Sequence, residues 1–140
     1  MHERRLEDLS IGQTAERRRV VSEADIDAFA AVSGDSNPVH LDAAYAAQTR
    51  FGGRIAHGML AASYLSALLG TELPGPGAIY VSQTLRFRRP VRIGDEVTAR
   101  VTIAAIEPER GRVTLDTVCL VEGKNVVEGE AVVMVERRSA

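Results

Sequence analysis

Apolar and polar side chains divide the chain into two textures. In the second half, apolar positions recur at every second residue. Ile79, Val81, Leu85 and Phe87, with Gln83 in register, alternate with Tyr80, Ser82, Thr84, Arg86 and Arg88. Val97, Ala99, Val101 and Ile103 repeat the alternation, as do Val113, Leu115, Thr117, Cys119 and Val121, and then Val127, Gly129, Ala131, Val133 and Val135. Period two is the signature of a pleated strand with one buried face. Gly94-Asp95, Gly111 and Gly123-Lys124-Asn125 fall at the breaks and predict turns. Four consecutive strands with short connections predict an antiparallel sheet. A further strand fits Gln13 to Val21.

The first half reads differently. Ser22-Glu23-Ala24-Asp25 resembles a capping box and opens a short helix through Ile26, Phe29, Ala30 and Val32. Ser33-Gly34-Asp35-Ser36-Asn37-Pro38 breaks it, and Asp42 can cap another short helix through Tyr45 and Ala46. The longest stretch without a charged residue runs from Ile55 to Thr71. With His57, two glycines and several hydroxyls it is a poor membrane span. It predicts a helix from near His57 to Leu69, buried on most faces, with Gly70 as a left-handed stop. Pro74-Gly75-Pro76-Gly77 reads as a turn. The expected architecture is α+β, one domain over residues 1–140, with a sheet wrapped around one long helix.

Composition narrows the function classes. The 140 residues carry 17 basic and 19 acidic side chains, a net charge of -2, which leaves no basic stripe for tracking nucleic-acid phosphates. One cysteine excludes an internal disulfide framework and a zinc cluster of several thiolates. The charged start MHERRLEDLS lacks the apolar stretch of a signal peptide, so the expected location is cytoplasmic.

Candidate chemistry concentrates between Ser33 and Asp42, where Asp35, Asn37, His40 and Asp42 lie within ten residues. His40 is the natural general acid or base, and Asp35 lies five residues earlier across a turn. An equally simple reading makes Asp35 and Asn37 Asx-turn residues and His40 incidental. The second candidate is Ala56-His57-Gly58-Met59-Leu60. At a helix N-terminus the Gly58 N–H can hold an oxygen that gains negative charge. Alternatively, Gly58 only relieves crowding there. His57 reads better as a satisfied structural histidine. Asp35, His40, Asp42 and His57 match no standard metal-ligand spacing, so no metal is expected. Arg86 and Arg88, on one strand face, are candidates for phosphate binding, although a solvated face is the plainer reading because sixteen of the basic residues are arginine. No G-x-S-x-G elbow accompanies the serines.

The run from Phe29 to Asp42, with Asp35-Ser36-Asn37-Pro38-Val39-His40 at its centre, resembles the hydratase-2 motif of the MaoC-like proteins. Arg54-Ile55-Ala56-His57-Gly58-Met59-Leu60 resembles that family's second signature. The similarity is greatest to its short single-domain (R)-specific enoyl-CoA hydratases of the polyhydroxyalkanoate type. Val39 and Ala43 are slight departures, and neither is a reacting group. The resemblance implies a hot-dog fold and a homodimer joined sheet edge to edge. It also implies reversible hydration of a trans-2-enoyl-CoA to an (R)-3-hydroxyacyl-CoA, with coenzyme A as part of the substrate and no separate cofactor. On this chain it assigns Asp35 and His40 as the catalytic pair, Gly58 N–H to the thioester carbonyl, Asn37 to loop shape and Ser66 to support of the pair. Alternatives are a dehydratase acting on a carrier-protein thioester or on a branched or dicarboxylic CoA ester, a thioesterase, and a non-catalytic acyl-binding subunit. Leu65, Leu68 and Leu69 are expected to cap a shallow acyl pocket, which favours short chains.

Overall fold

A computed structural model describes residues 3–138. A 3-10 turn (Leu6–Asp8) leads into β1 (Thr14–Val20), then α1 (Glu23–Ser33), α2 (Pro38–Leu41), α3 (Ala43–Ala47) and α4 (Gly58–Thr71). The strands β2 (Ile79–Gln83), β3 (Arg86–Phe87), β4 (Glu96–Glu107), β5 (Arg112–Val121) and β6 (Lys124–Met134) follow. Among the described residues no helix is long and apolar enough to cross a membrane.

All pairings in the sheet are antiparallel, in the order β1-β4-β5-β6-β2, with β3 also on β6. The alternating positions of the last three strands form the core face: Val97, Val101, Val113, Leu115, Cys119 and Ala131 are fully buried. α4 lies on that face, chiefly against β4 and β5. Its Leu65 and Leu68 are completely buried and Leu69 nearly so. This placement corrects one expectation, because these leucines belong to the core and do not line the site.

Two other expectations change. Residues 79–88 do not form one strand paired to its successor. The gap at Thr84-Leu85 splits them into β2, which has a register shift between Tyr80 and Ser82, and β3, and both pair with β6. Because β2 lies at the sheet's end, beyond the cover of α4, Ile79 and Val81 stay about half exposed, and Phe87 in β3 is about half exposed too. Gly70 does not stop α4, which runs on to Thr71 and is closed by Glu72 N–H donating to Leu68 O. The space a Cβ would occupy at Gly70 is open. Gly70→Ala is therefore expected to stabilise the protein by about 0.5–1 kcal/mol through the helix propensity gained, read as a higher urea midpoint.

The predicted caps form as expected. Ser22 Oγ accepts from Asp25 N–H while the Asp25 carboxylate accepts from Ser22 N–H, and Asp42 caps α3 at Tyr45 N–H. α2 is an additional turn: Pro38 at its first position and Asn37 as its cap favour it, and it carries His40 into the interior.

Candidate active site

The loop between α1 and α2 is a chain of local hydrogen bonds. Ser33 Oγ donates to Phe29 O and accepts from Asp35 N–H, Asp35 Oδ1 accepts from Asn37 N–H, and Asn37 Oδ1 accepts from Val39 N–H. The Asx-turn reading of Asp35 and Asn37 is thus correct. These turns leave Asp35 exposed and aim His40, only 8% exposed, at the same cleft.

His40 Nδ1 lies 2.8 Å from Ile55 O. A carbonyl oxygen only accepts, so Nδ1 carries the proton in the neutral ring and Nε2 holds the lone pair. Arg54 grips the same residue from behind. Its Nε donates to His40 O at 2.6 Å, while Nη1 and Nη2 pair with Glu23 at 3.0 Å and Asp27 at 2.9 Å on α1. The sequence reading missed this clamp. Its one visible signal was a basic residue at the edge of the charge-free stretch.

His57 precedes α4 and is 3% exposed. Its Nε2 lies 3.0 Å from Asp35 O, its ring stacks on His40 with centroids 3.9 Å apart, and Phe29 packs on it at 5.0 Å. Ligand-capable atoms of Asp35, His40 and His57 all fall within 4.8 Å of one another. Asp42 is not in this group, because it caps α3.

Gly58 opens α4 opposite this cluster. His57 supplies no side-chain cap, so the first amides of α4 keep their donors available, with the positive end of the helix dipole behind them. A Cβ at Gly58 would come within 2.6 Å of the Phe87 ring, so this glycine also admits that ring, as the crowding reading held. Asp35, His40, His57, Gly58 and Phe87 share a cleft of about 670 Å³.

The remaining candidates separate. Ser66 is exposed and does not line this cleft, so within one chain it does not join Asp35 and His40. Arg86 faces a different groove, beside Thr84 and Asp116. Arg88 does reach the cleft but lies past the end of β3 and pairs with Glu128 at 2.6 Å. Asn125 and Arg88 together hold the Glu128 carboxyl below the usual carboxylate range. Arg50 and Arg89 also line the cleft.

An antiparallel sheet around a buried helix, with an Asp/His loop facing an uncapped helix N-terminus, defines a hot-dog protein equipped for acid–base chemistry on a small polar group. Residues 8–126 match the MaoC like domain, and the chain belongs to that family. It is 56% identical to an (R)-specific enoyl-CoA hydratase of Rhodospirillum rubrum, over 94% of this chain and 92% of that protein. It is 50% identical to a 3-hydroxybutyryl-CoA dehydratase of Methylorubrum extorquens, over 94% and 84%. The unliganded R-hydratase PhaJ1 of Pseudomonas aeruginosa superposes with a TM-score of 0.91 at 49% identity, over 96% of this chain and 86% of that one.

Proposed function

We propose that this protein catalyses the reversible hydration of a short trans-2-enoyl-CoA to the (R)-3-hydroxyacyl-CoA. One observation carries the reading: a ring nitrogen of His40 lies within 4.8 Å of a carboxylate oxygen of Asp35, in the cleft that the N-terminus of α4 enters, and with Nδ1 on Ile55 O the lone pair of the neutral ring is on Nε2. The names of the two relatives supply the substrate class and the product configuration.

In this scheme the Asp35 carboxylate orients a water molecule. Its oxygen bonds to Cβ as His40 Nε2 takes one of its protons. The electron pair of the Cα–Cβ double bond moves toward the thioester oxygen, where Gly58 N–H and the helix dipole stabilise the enolate. Cα then takes a proton from the same Asp/His pair, which returns to its starting state. Asn37 shapes the loop. Coenzyme A belongs to the substrate and the scheme uses no separate cofactor or metal. Arg88, Arg89 and Lys124 border a groove beside the cleft whose positive charge suits the phosphates of coenzyme A, and Arg86 lines an adjoining groove.

The two sheet edges support a homodimer. β1 is blunted by Glu16, Arg17, Arg18 and Arg19, whereas β2 offers the exposed apolar Ile79, Tyr80 and Val81. Pairing two β2 edges would cover apolar surface and satisfy open backbone groups in one step.

The test is the absorbance of crotonyl-CoA after protein is added. A fast fall without release of free thiol is the expected result. Cys119 does not confuse the thiol readout, since it is fully buried and burial pushes its thiol up to about 12. Release of coenzyme A in step with the absorbance change would replace this reading with a thioesterase.

A further inference from the structure

His57 touches both Asp35 and His40 and lines the same cleft. Its Nε2 partner is a carbonyl, that of Asp35, so the neutral ring carries its proton on Nε2 and the lone pair on Nδ1. That Nδ1 is buried and has no hydrogen-bond partner. His40 has the opposite tautomer, with its proton on Nδ1 facing Ile55 O. The two rings stack at 3.9 Å with planes 28° apart, so the face of His57 sets the depth to which His40 can sink.

A histidine held only as core filler would not need this arrangement. An apolar ring of the same size would fill the space and leave no unpaired nitrogen behind, and a buried unpaired nitrogen has a desolvation cost. The compensation lies in what Nε2–H does. Asp35 sits in a run of Asx and Ser turns whose bonds are all local, with its side chain exposed. Local turns, with His40 N–H donating to Asn37 O, bring Asp35 and His40 to one cleft, but none of them ties Asp35 to the head of α4. The His57 bond to Asp35 O reaches 22 residues along the chain and ties that loop to the head of α4, beside the ring on which His40 rests.

We infer that His57 is a positioning residue for the hydration reaction: it sets the separation of Asp35 and His40 by a hydrogen bond to the main chain of one and a stacked ring against the other. It also reports to both from the residue just before Gly58, so the carboxylate, the imidazole and the oxyanion donor share one reference point. This rests on the hydratase reading above.

Two substitutions separate the two contacts. His57→Phe keeps a stacking ring and loses the donor, and His57→Gln keeps a donor and loses the ring. His57→Phe is expected to melt near the parent temperature, because the loss of the bond to Asp35 O and the removal of the unpaired nitrogen roughly offset. Its kcat on crotonyl-CoA is expected to fall about tenfold or more with KM nearly unchanged, the pattern of misaligned reacting groups. His57→Gln is expected to lose both kcat and thermal stability. On an Asp35→Asn background the His57→Phe loss should largely disappear, since there is no longer a carboxylate to position. A kcat within twofold of the parent in His57→Phe, or a loss that multiplies fully on Asp35→Asn, overturns the inference.

An activity-independent readout keeps this result distinct from failure of the hydratase reading. In protein with 15N-labelled histidine, His57 is expected as the Nε2–H tautomer and His40 as the Nδ1–H tautomer. Finding His57 without a proton on Nε2 overturns the proposal whether or not the enzyme turns over.

Discussion

Asp35→Asn and His40→Ala each lower turnover on crotonyl-CoA by about two to four decades, the usual scale for a lost acid–base group. The two variants are informative because their structural costs differ. Asp35→Asn keeps an oxygen that can accept Asn37 N–H, so the turn survives and only the negative charge is lost. Its unfolding midpoint is expected to match the parent's. His40→Ala removes the ring that donates to Ile55 O and stacks on His57, so it should cost about 1–3 kcal/mol as well. It should still fold, because the sheet and α4 do not depend on that ring. Steady-state kinetics on folded protein, with folding checked by circular dichroism, decides the matter. Near-parental turnover in either variant removes the acid–base role assigned to that residue.

The second large effect is on stability. Gly129→Ala is expected to cost about 3 kcal/mol or more and to reduce the yield of folded protein. Gly129 occupies an ordinary alternating position of β6, opposite Thr117 on β5. Across the sheet from there, the chain between β2 and β3 crosses directly over it. Thr84 N–H donates to Glu130 O, and Thr84 Oγ accepts from Glu130 N–H. A Cβ at Gly129 would lie 1.8 Å from Thr84 O and 2.7 Å from its carbonyl carbon. These are backbone atoms, so no rotamer change relieves the clash. Either the two Thr84 bonds break or the register of β2 on β6 slips. A urea titration of Gly129→Ala beside Gly70→Ala should give opposite signs from the same chemical change. If Gly129→Ala matches the parent midpoint, the close crossing is wrong.

These two glycines show where the sequence was legible and where it was not. Both stand inside regular patterns, and sequence placed a stop at Gly70 and an ordinary strand position at Gly129. Whether a Cβ fits depends on what lies across from it, which for Gly129 is 45 residues away along the chain. The same limit applies to residues 79–88. Their alternation correctly predicted extended chain, but alternation records only which side chains are apolar. It does not say which neighbour pairs with the strand, or whether its apolar face has a cover.

The amino-acid sequence by itself determined the local structure and which residues meet in the cleft loop. Periodicity of two set the strands and their buried face, the absence of charge from Ile55 to Thr71 set the central helix, and Ser22 and Asp42 set the caps. Those signals are short-range, each written within a few residues. The Asp35–His40 motif belongs to the same category, because five residues and a turn are enough to bring both side chains to one cleft. Tertiary structure alone decided the rest. Only the packing of α4 against the loop brought His57 into contact with both Asp35 and His40. Only the fold carried Arg54 to Glu23, Asp27 and His40 at once, and only the end of β3 separated Arg88 from Arg86. Each of these depends on which distant groups are driven together when the sheet closes over α4. That is a property of the whole buried interface, which no local window of the chain contains.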